Sequence, residues 1–233
     1  MKKRVKIILI SIVSLVILLI GSFFIYVSDY YRADNVTIAV MKSANAIRVQ
    51  GNLTILSPTK PSDTALIFYP GAKVEYISYI PFLEKLRQRG ITCVLIKMPF
   101  NMAIFDSNAA DKVFNELPGI KNWYIGGHSM GGAMASSYAA NHKDQIKGLI
   151  LLGAYIYGDV SPKNALTVYG TLNSSLAEHI NYTENVVIIK GGNHAQFGNY
   201  GQQKGDPPGT ISTEEQQNIT VEAILNFIQK KSE

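Results

Sequence analysis

Apolar residues run almost unbroken from Ile7 to Val27, a stretch of 21 residues without a charge whose polar interruptions are Ser11, Ser14, Ser22 and the Tyr26 hydroxyl. As a helix it would be about 30 Å long, the thickness of a bilayer's hydrocarbon core. After residue 47 the pattern becomes short apolar runs alternating with amphipathic ones. Arg48–Leu56 alternates as a strand should, and Leu66–Tyr69, Thr92–Ile96, Trp123–Gly126, Leu149–Leu152, Leu166–Tyr169 and Val186–Ile189 read as further strands. Helical spacing marks Tyr79–Arg89, which stops at Gly90; Asp106–Leu117, which ends before Pro118, the alanine- and serine-rich Gly131–Asn141 and the amphipathic closing Glu214–Lys230 read as further helices. Continuous apolar strands separated by helices predict an α/β fold, with a mostly parallel sheet covered on both faces. In such a sheet the chemistry lies in loops at the carboxyl ends of the strands.

Charge sharpens the reading of the first run. Of the net +5, Lys2, Lys3, Arg4 and Lys6 supply four, so the basic character is a terminal patch and no nucleic-acid partner is expected. Basic residues before an apolar run predict a cytoplasmic N-terminus, with the remainder outside the cell membrane. The run is longer than a cleavable signal's apolar core, and Phe23-Phe24-Ile25-Tyr26-Val27 offers no small-residue cleavage site. The expected organisation is a basic tail over residues 1–6, a single-pass anchor over 7–27, a stalk over 28–47 and one domain over 48–233. Cys93 is the single cysteine, which excludes an intrachain disulfide. The sequence shows no phosphate-binding loop, dinucleotide fingerprint or metal-ligand cluster, so neither cofactor nor metal is expected.

Gly127-His128-Ser129-Met130-Gly131 carries the sharpest chemistry. An apolar strand runs into it and a helix rich in small residues runs out. That context makes G-x-S-x-G a nucleophile elbow, in which Ser129 sits on a strained turn near a helix N-terminus. A serine hydroxyl needs a base. Of the four histidines, His128 lies inside the elbow and should point away from Ser129, and His142 and His179 read as surface. His194 follows the last strand in a glycine-rich loop and is the expected base. The Met130 N–H, next to the nucleophile, and the Ala72 N–H, in the loop after Leu66–Tyr69, are the expected oxyanion donors. The third triad member should follow Leu166–Tyr169. Asn173 stands there and ranks first, Asp159 is the alternative acid, and Asp206 and Glu178 lie further behind. An amide oxygen can still accept the imidazole N–H, though without a full charge.

Taken together, Phe68-Tyr69-Pro70-Gly71-Ala72-Lys73-Val74-Glu75, Met98-Pro99-Phe100-Asn101-Met102-Ala103, the segment 126–132 and Gly191-Gly192-Asn193-His194-Ala195-Gln196-Phe197-Gly198-Asn199-Tyr200-Gly201 resemble the α/β-hydrolase superfamily. More narrowly they resemble a small, membrane-anchored bacterial group with the α/β-hydrolase fold-5 domain, related to dienelactone hydrolases. The likeness covers roughly residues 30–230. It implies a serine hydrolase acting on a small ester or related acyl substrate through an acyl-enzyme. Dienelactone hydrolases proper use cysteine where Ser129 stands. The group's pattern carries aspartate where this chain has Asn173, which motivates a second expectation: a catalytically weak fold that binds an envelope lipid or polymer. Acyl transfer by the same residues is a third. The short connection between Leu152 and Leu166 leaves no room for a separate lid domain. Tyr76, Tyr79, Phe100, Met102, Phe105, Tyr155, Phe197 and Tyr200 fall in or near the active-edge loops as candidate pocket residues.

Overall fold

The computed structural model describes residues 2–43 and 46–231. It forms two units, 1–30 and 31–233. The first is helix α1, Lys2–Ser28, whose apolar side chains are exposed along most of its length, with Val27 buried. It is long and apolar enough to cross a membrane.

The second unit is built on one eight-stranded sheet in the order β1-β2-β4-β3-β5-β6-β7-β8. Its strands are β1 Ile47–Gln50, β2 Leu53–Leu56, β3 Thr64–Tyr69, β4 Thr92–Ile96, β5 Asn122–His128, β6 Ile146–Leu152, β7 Ala165–Gly170 and β8 Val186–Ile189. From β4 to β8 every pairing is parallel, whereas β1–β2 and β2–β4 are antiparallel. The helices that follow α1 are α2 Asn35–Ser43, α3 Ile80–Gln88, α4 Met130–Asn141, the single turn α5 Ser174–Ala177 and α6 Thr213–Lys230.

Strand side chains alternate between two cores, as a period of two requires. Leu66 and Phe68 of β3, Cys93 and Leu95 of β4, and Ile150 and Leu152 of β6 face one layer, with α3 and α6. Ile67 and Tyr69, Val94 and Ile96, and Leu149 and Leu151 face the other, with α4. Burial on both faces explains why these strands read as continuous apolar runs.

Two expected elements differ. Arg48–Leu56 is two strands, because Gly51 takes a φ of 60° and turns the chain into a hairpin. Asp106–Leu117 is a series of 3₁₀ turns, Ala109–Lys112 and Phe114–Glu116, in place of an α-helix. The Tyr69 hydroxyl accepts the Ala110 N–H at 2.9 Å and donates to the Ser107 carbonyl at 2.9 Å. A regular helical ladder would need both groups for itself.

Residues 31–34, inside the segment read as a stalk, are bonded into the domain. Tyr31 donates its N–H to the Lys73 carbonyl at 2.8 Å and accepts the Glu75 N–H at 2.8 Å. Asp34 donates its N–H to the Asn199 carbonyl at 2.9 Å, and the Lys204 N–H reaches the Tyr31 hydroxyl at 2.9 Å.

Candidate active site

Ser129 is the one residue between β5 and α4, with φ 53° and ψ −123°. That left-handed φ is costly for a side chain with a Cβ, about 1–3 kcal/mol, and such strain gathers at functional turns. The turn is possible because its neighbours lack side chains. A Cβ on Gly127 would sit 2.5 Å from the Gly131 carbonyl carbon and 2.7 Å from the Gly132 nitrogen. The Ser129 N–H is tied to the Leu152 carbonyl at the end of β6, at 3.0 Å.

His194 lies in the loop after β8, and the residues around it explain that loop's unusual composition. Asn193 is buried, donates its side-chain amide to the Pro207 carbonyl at 2.9 Å and accepts the Gln196 N–H at 3.0 Å. The Gln216 amide of α6 grips the Asn193 backbone from both ends: Oε1 accepts its N–H at 3.0 Å and Nε2 donates to its carbonyl at 2.9 Å. Gln216 and Gln217 are 0% and 2% exposed, and Gln217 donates to the Asn199 side chain at 2.8 Å. A buried amide that lost these partners would cost about 1–3 kcal/mol, so the loop is held firmly.

The structure brings Ser129, His194 and Asn173 to one cavity of about 330 Å³. Asn173 precedes α5, and its side-chain nitrogen Nδ2 lies 2.9 Å from His194 Nδ1. The amide sets the histidine's tautomer. With Nδ2 donating to Nδ1, the imidazole proton is on Nε2; with the amide turned over, Oδ1 accepts the proton from Nδ1 and Nε2 is free to act as a base. Asp159 is elsewhere: its side chain is 92% exposed and paired with Lys143, which holds its carboxyl below the usual range. Glu178 is exposed. Asp206 does reach the histidine loop, but at its backbone. Its carboxylate accepts the N–H of His194 at 3.1 Å and of Ala195 at 2.8 Å. Burial lowers the His194 pKa from the ordinary imidazole value, and the Asp206 charge opposes that fall.

Met130 opens α4, where the first N–H groups have no intrahelical partner. Ala72 follows Gly71, whose N–H donates to the Tyr79 hydroxyl at 3.1 Å. A connection that sequence reasoning missed starts there. The Tyr79 hydroxyl is 2.8 Å from His128 Nδ1, and His128 Nε2 is 3.0 Å from the His194 carbonyl. Burial, and then the neighbouring His194, push the His128 pKa well below the imidazole value and keep the ring neutral. One tautomer satisfies the chain: Tyr79 donates to Nδ1, and Nε2–H donates to the carbonyl. His128 thus faces away from Ser129 and links the Gly71–Ala72 loop to the His194 loop. The available signal was a histidine in an otherwise apolar strand, whose burial demands partners.

The cavity wall includes Met130, Ala133, Ala154, Tyr155, Tyr157 and Leu176, with no acidic or strongly basic side chain. His179 also lines it, stacked on Tyr155 with ring centroids 5.0 Å apart. Of the loop aromatics expected to shape the pocket, Tyr155 does so. Tyr79, Phe197 and Tyr200 are buried in the core cluster with α3 and α6, because their rings pack together beneath the loops. Met102 is buried as well, Phe100 and Phe105 meet edge to face at 5.4 Å on the surface, and Tyr76 lies under Lys97.

Comparison with known proteins agrees with this architecture. The chain is similar in fold to the dienelactone hydrolase of Anabaena variabilis, at 16% identity and a TM-score of 0.51 over 75% of this chain and 90% of that one. It is similar also to Est1E of Butyrivibrio proteoclasticus, at 16% identity and a TM-score of 0.52 over 78% and 98%. A soluble variant of the monoglyceride lipase of Saccharomyces cerevisiae matches at 13% identity and a TM-score of 0.52 over 79% and 94%. No curated protein sequence matches significantly. The sequence from residue 65 to 218, well over half of the chain and spanning both the elbow and the histidine loop, matches a family whose fold is the one described, and by that match the chain belongs to the α/β-hydrolase family.

Proposed function

We infer that this α/β-hydrolase is a serine hydrolase of carboxylic esters or related acyl compounds, held at a membrane by α1 with its domain outside. The observation that carries the reading is Ser129 on a strained elbow, opening on the same cavity as an imidazole with a polar partner behind it. Ser129 Oγ attacks the acyl carbonyl while His194 Nε2 takes its proton. The oxyanion is met by the N–H groups of Met130 and Ala72. The intermediate collapses, the C–O bond to the alcohol breaks, and His194 returns the proton to the leaving oxygen. Water then adds to the acyl-enzyme by the same route, releasing the acid and restoring Ser129. Asn173 turns its Oδ1 toward Nδ1 during this cycle. The uncharged cavity wall suits a neutral acyl group.

The test is covalent labelling. Full-length protein treated with a fluorophosphonate should gain one adduct, found on the peptide containing Ser129 and absent from Ser129→Ala. A folded protein that takes up no label would instead favour the reading of a weak hydrolase fold that binds an envelope lipid or polymer.

The acid side of the activity profile provides a second check. His194 works as a base only when neutral, so kcat/KM rises with pH through its free-enzyme pKa. Burial holds that pKa below the ordinary 6.5. Hydrolysis of a p-nitrophenyl ester should therefore run at more than half of its plateau rate at pH 6.5 and reach half only under more acidic conditions.

A further inference from the structure

A triad acid has two duties. It fixes the tautomer and direction of the imidazole, and it places a negative charge beside the imidazolium formed when the serine proton moves. Asn173 can perform the first through Oδ1 and has no charge for the second.

A carboxylate is nonetheless fastened to this histidine. Asp206 Oδ1 accepts the N–H of His194 itself at 3.1 Å, and Oδ2 accepts the N–H of Ala195 at 2.8 Å. Both are charge-assisted bonds to a half-buried carboxylate, and they hold its charge next to the residue that must become cationic. Its own N–H is anchored to the Gln203 carbonyl at 3.1 Å. Among the described residues, the other groups around His194 do not supply a negative charge. His128 of β5, with its ring centroid 4.6 Å away, is buried and neutral, and Asn173 is an amide. Tyr79 and Tyr200, packed beneath, are kept protonated by burial. His179 lines the same cavity and can only add positive charge. Burial lowers the proton affinity of His194 and the Asp206 charge raises it.

We propose that the duties of the triad acid are divided between two residues: Asn173 orients the His194 imidazole, and Asp206, bonded to the His194 backbone, stabilises its protonated form. The proposal rests on the reading of Ser129 as nucleophile and His194 as base. Asp206 touches no substrate and acts through His194 as a positioning residue.

The test follows His194 directly. Full-length protein in detergent micelles, labelled with ¹³C at histidine Cε1, is titrated by NMR, with the His194 signal assigned from His194→Gln. Asp206→Asn keeps the side chain's size and one acceptor oxygen. It should lower the His194 midpoint by roughly one pH unit, since a nearby anion favours the charged form. The acid limb of kcat/KM on p-nitrophenyl butyrate should move down with it, and the plateau should drop about tenfold. Adding Asn173→Asp to Asp206→Asn returns a carboxylate to the imidazole and should restore both midpoint and plateau. A fixed midpoint with lost activity, unrescued by Asn173→Asp, would show that Asp206 only clamps the loop and would overturn the proposal.

If Asp206→Asn does not fold, Asn173→Asp alone decides. With Asn173 orienting the imidazole and Asp206 supplying charge, its gain should be about tenfold or less, whereas a gain approaching ~10⁴ would show that the two residues do not together do the work of a triad acid and would overturn the proposal. Failure of wild-type protein to take up fluorophosphonate would sink the hydrolase reading itself, and the His194 midpoint in Asp206→Asn would still decide whether the two groups are coupled.

Discussion

Ser129→Ala is expected to lower kcat by about 10⁶-fold, the scale seen when a hydrolase nucleophile is removed, while the melting temperature stays close to wild type. The two readouts separate because the side chain does two things. Its Oγ would carry the chemistry, whereas its Cβ carries the strain of φ 53°. Alanine deletes the first and retains the second. Ser129→Gly deletes both, and its net effect should be a gain of roughly 1 kcal/mol, the relief of an unfavourable φ offset in part by the added freedom of glycine when unfolded. Kinetics on a p-nitrophenyl ester and a thermal melt of both variants check this. A serine that was merely a turn residue would leave alanine active and make glycine indistinguishable from wild type in rate.

Gly127→Ala is expected to destabilise the domain by about 3 kcal/mol, the upper part of the range for inserting a methyl into a packed site. For a domain of this size that is a fall in Tm of roughly 6–12 °C. The new Cβ would meet the Gly131 carbonyl carbon at 2.5 Å and the Gly132 nitrogen at 2.7 Å, both of them backbone atoms in the first turn of α4. Neither can rotate aside as a side-chain tip could, so α4 must be pushed off β5. That displaces the Met130 N–H from the oxyanion position, and the variant should lose activity even at temperatures where it remains folded. Differential scanning calorimetry with fluorophosphonate labelling at low temperature would show both effects.

Strand and helix patterning was readable wherever one period dominated. The core strands, buried on both faces, announced themselves as apolar runs, α3 by its spacing and its stop at Gly90, and α4 by the small-residue run that leaves the elbow. Asp106–Leu117 misled because the Tyr69 hydroxyl that claims its backbone comes from a strand far away in sequence. The elbow was legible from local glycines, since local strain needs local residues. The cradle of the histidine loop was not, because Gln216 and Gln217 belong to a different helix. Their trace in the sequence is two glutamines on the otherwise apolar face that carries Thr220, Ile224 and Phe227. Asp206 could be ranked from sequence as an acid near the base, but its choice of the backbone over the imidazole depends on how the loop closes. His128 shows the same limit: its position predicted that it faces away from Ser129, and three-dimensional packing decided that it would join two loops.

The bonds of residues 31–34 determine where the domain could be released from what precedes it. A proteolytic nick within residues 28–30 leaves intact the bonds from Tyr31 to Lys73, Glu75 and Lys204, and from Asp34 to Asn199. A nick just beyond Asp34 removes that segment from the domain, and with it a strap that touches the segment 73–75 on one side and the histidine loop on the other. The difference between a released intact domain and a released remnant is thus a matter of about half a dozen residues.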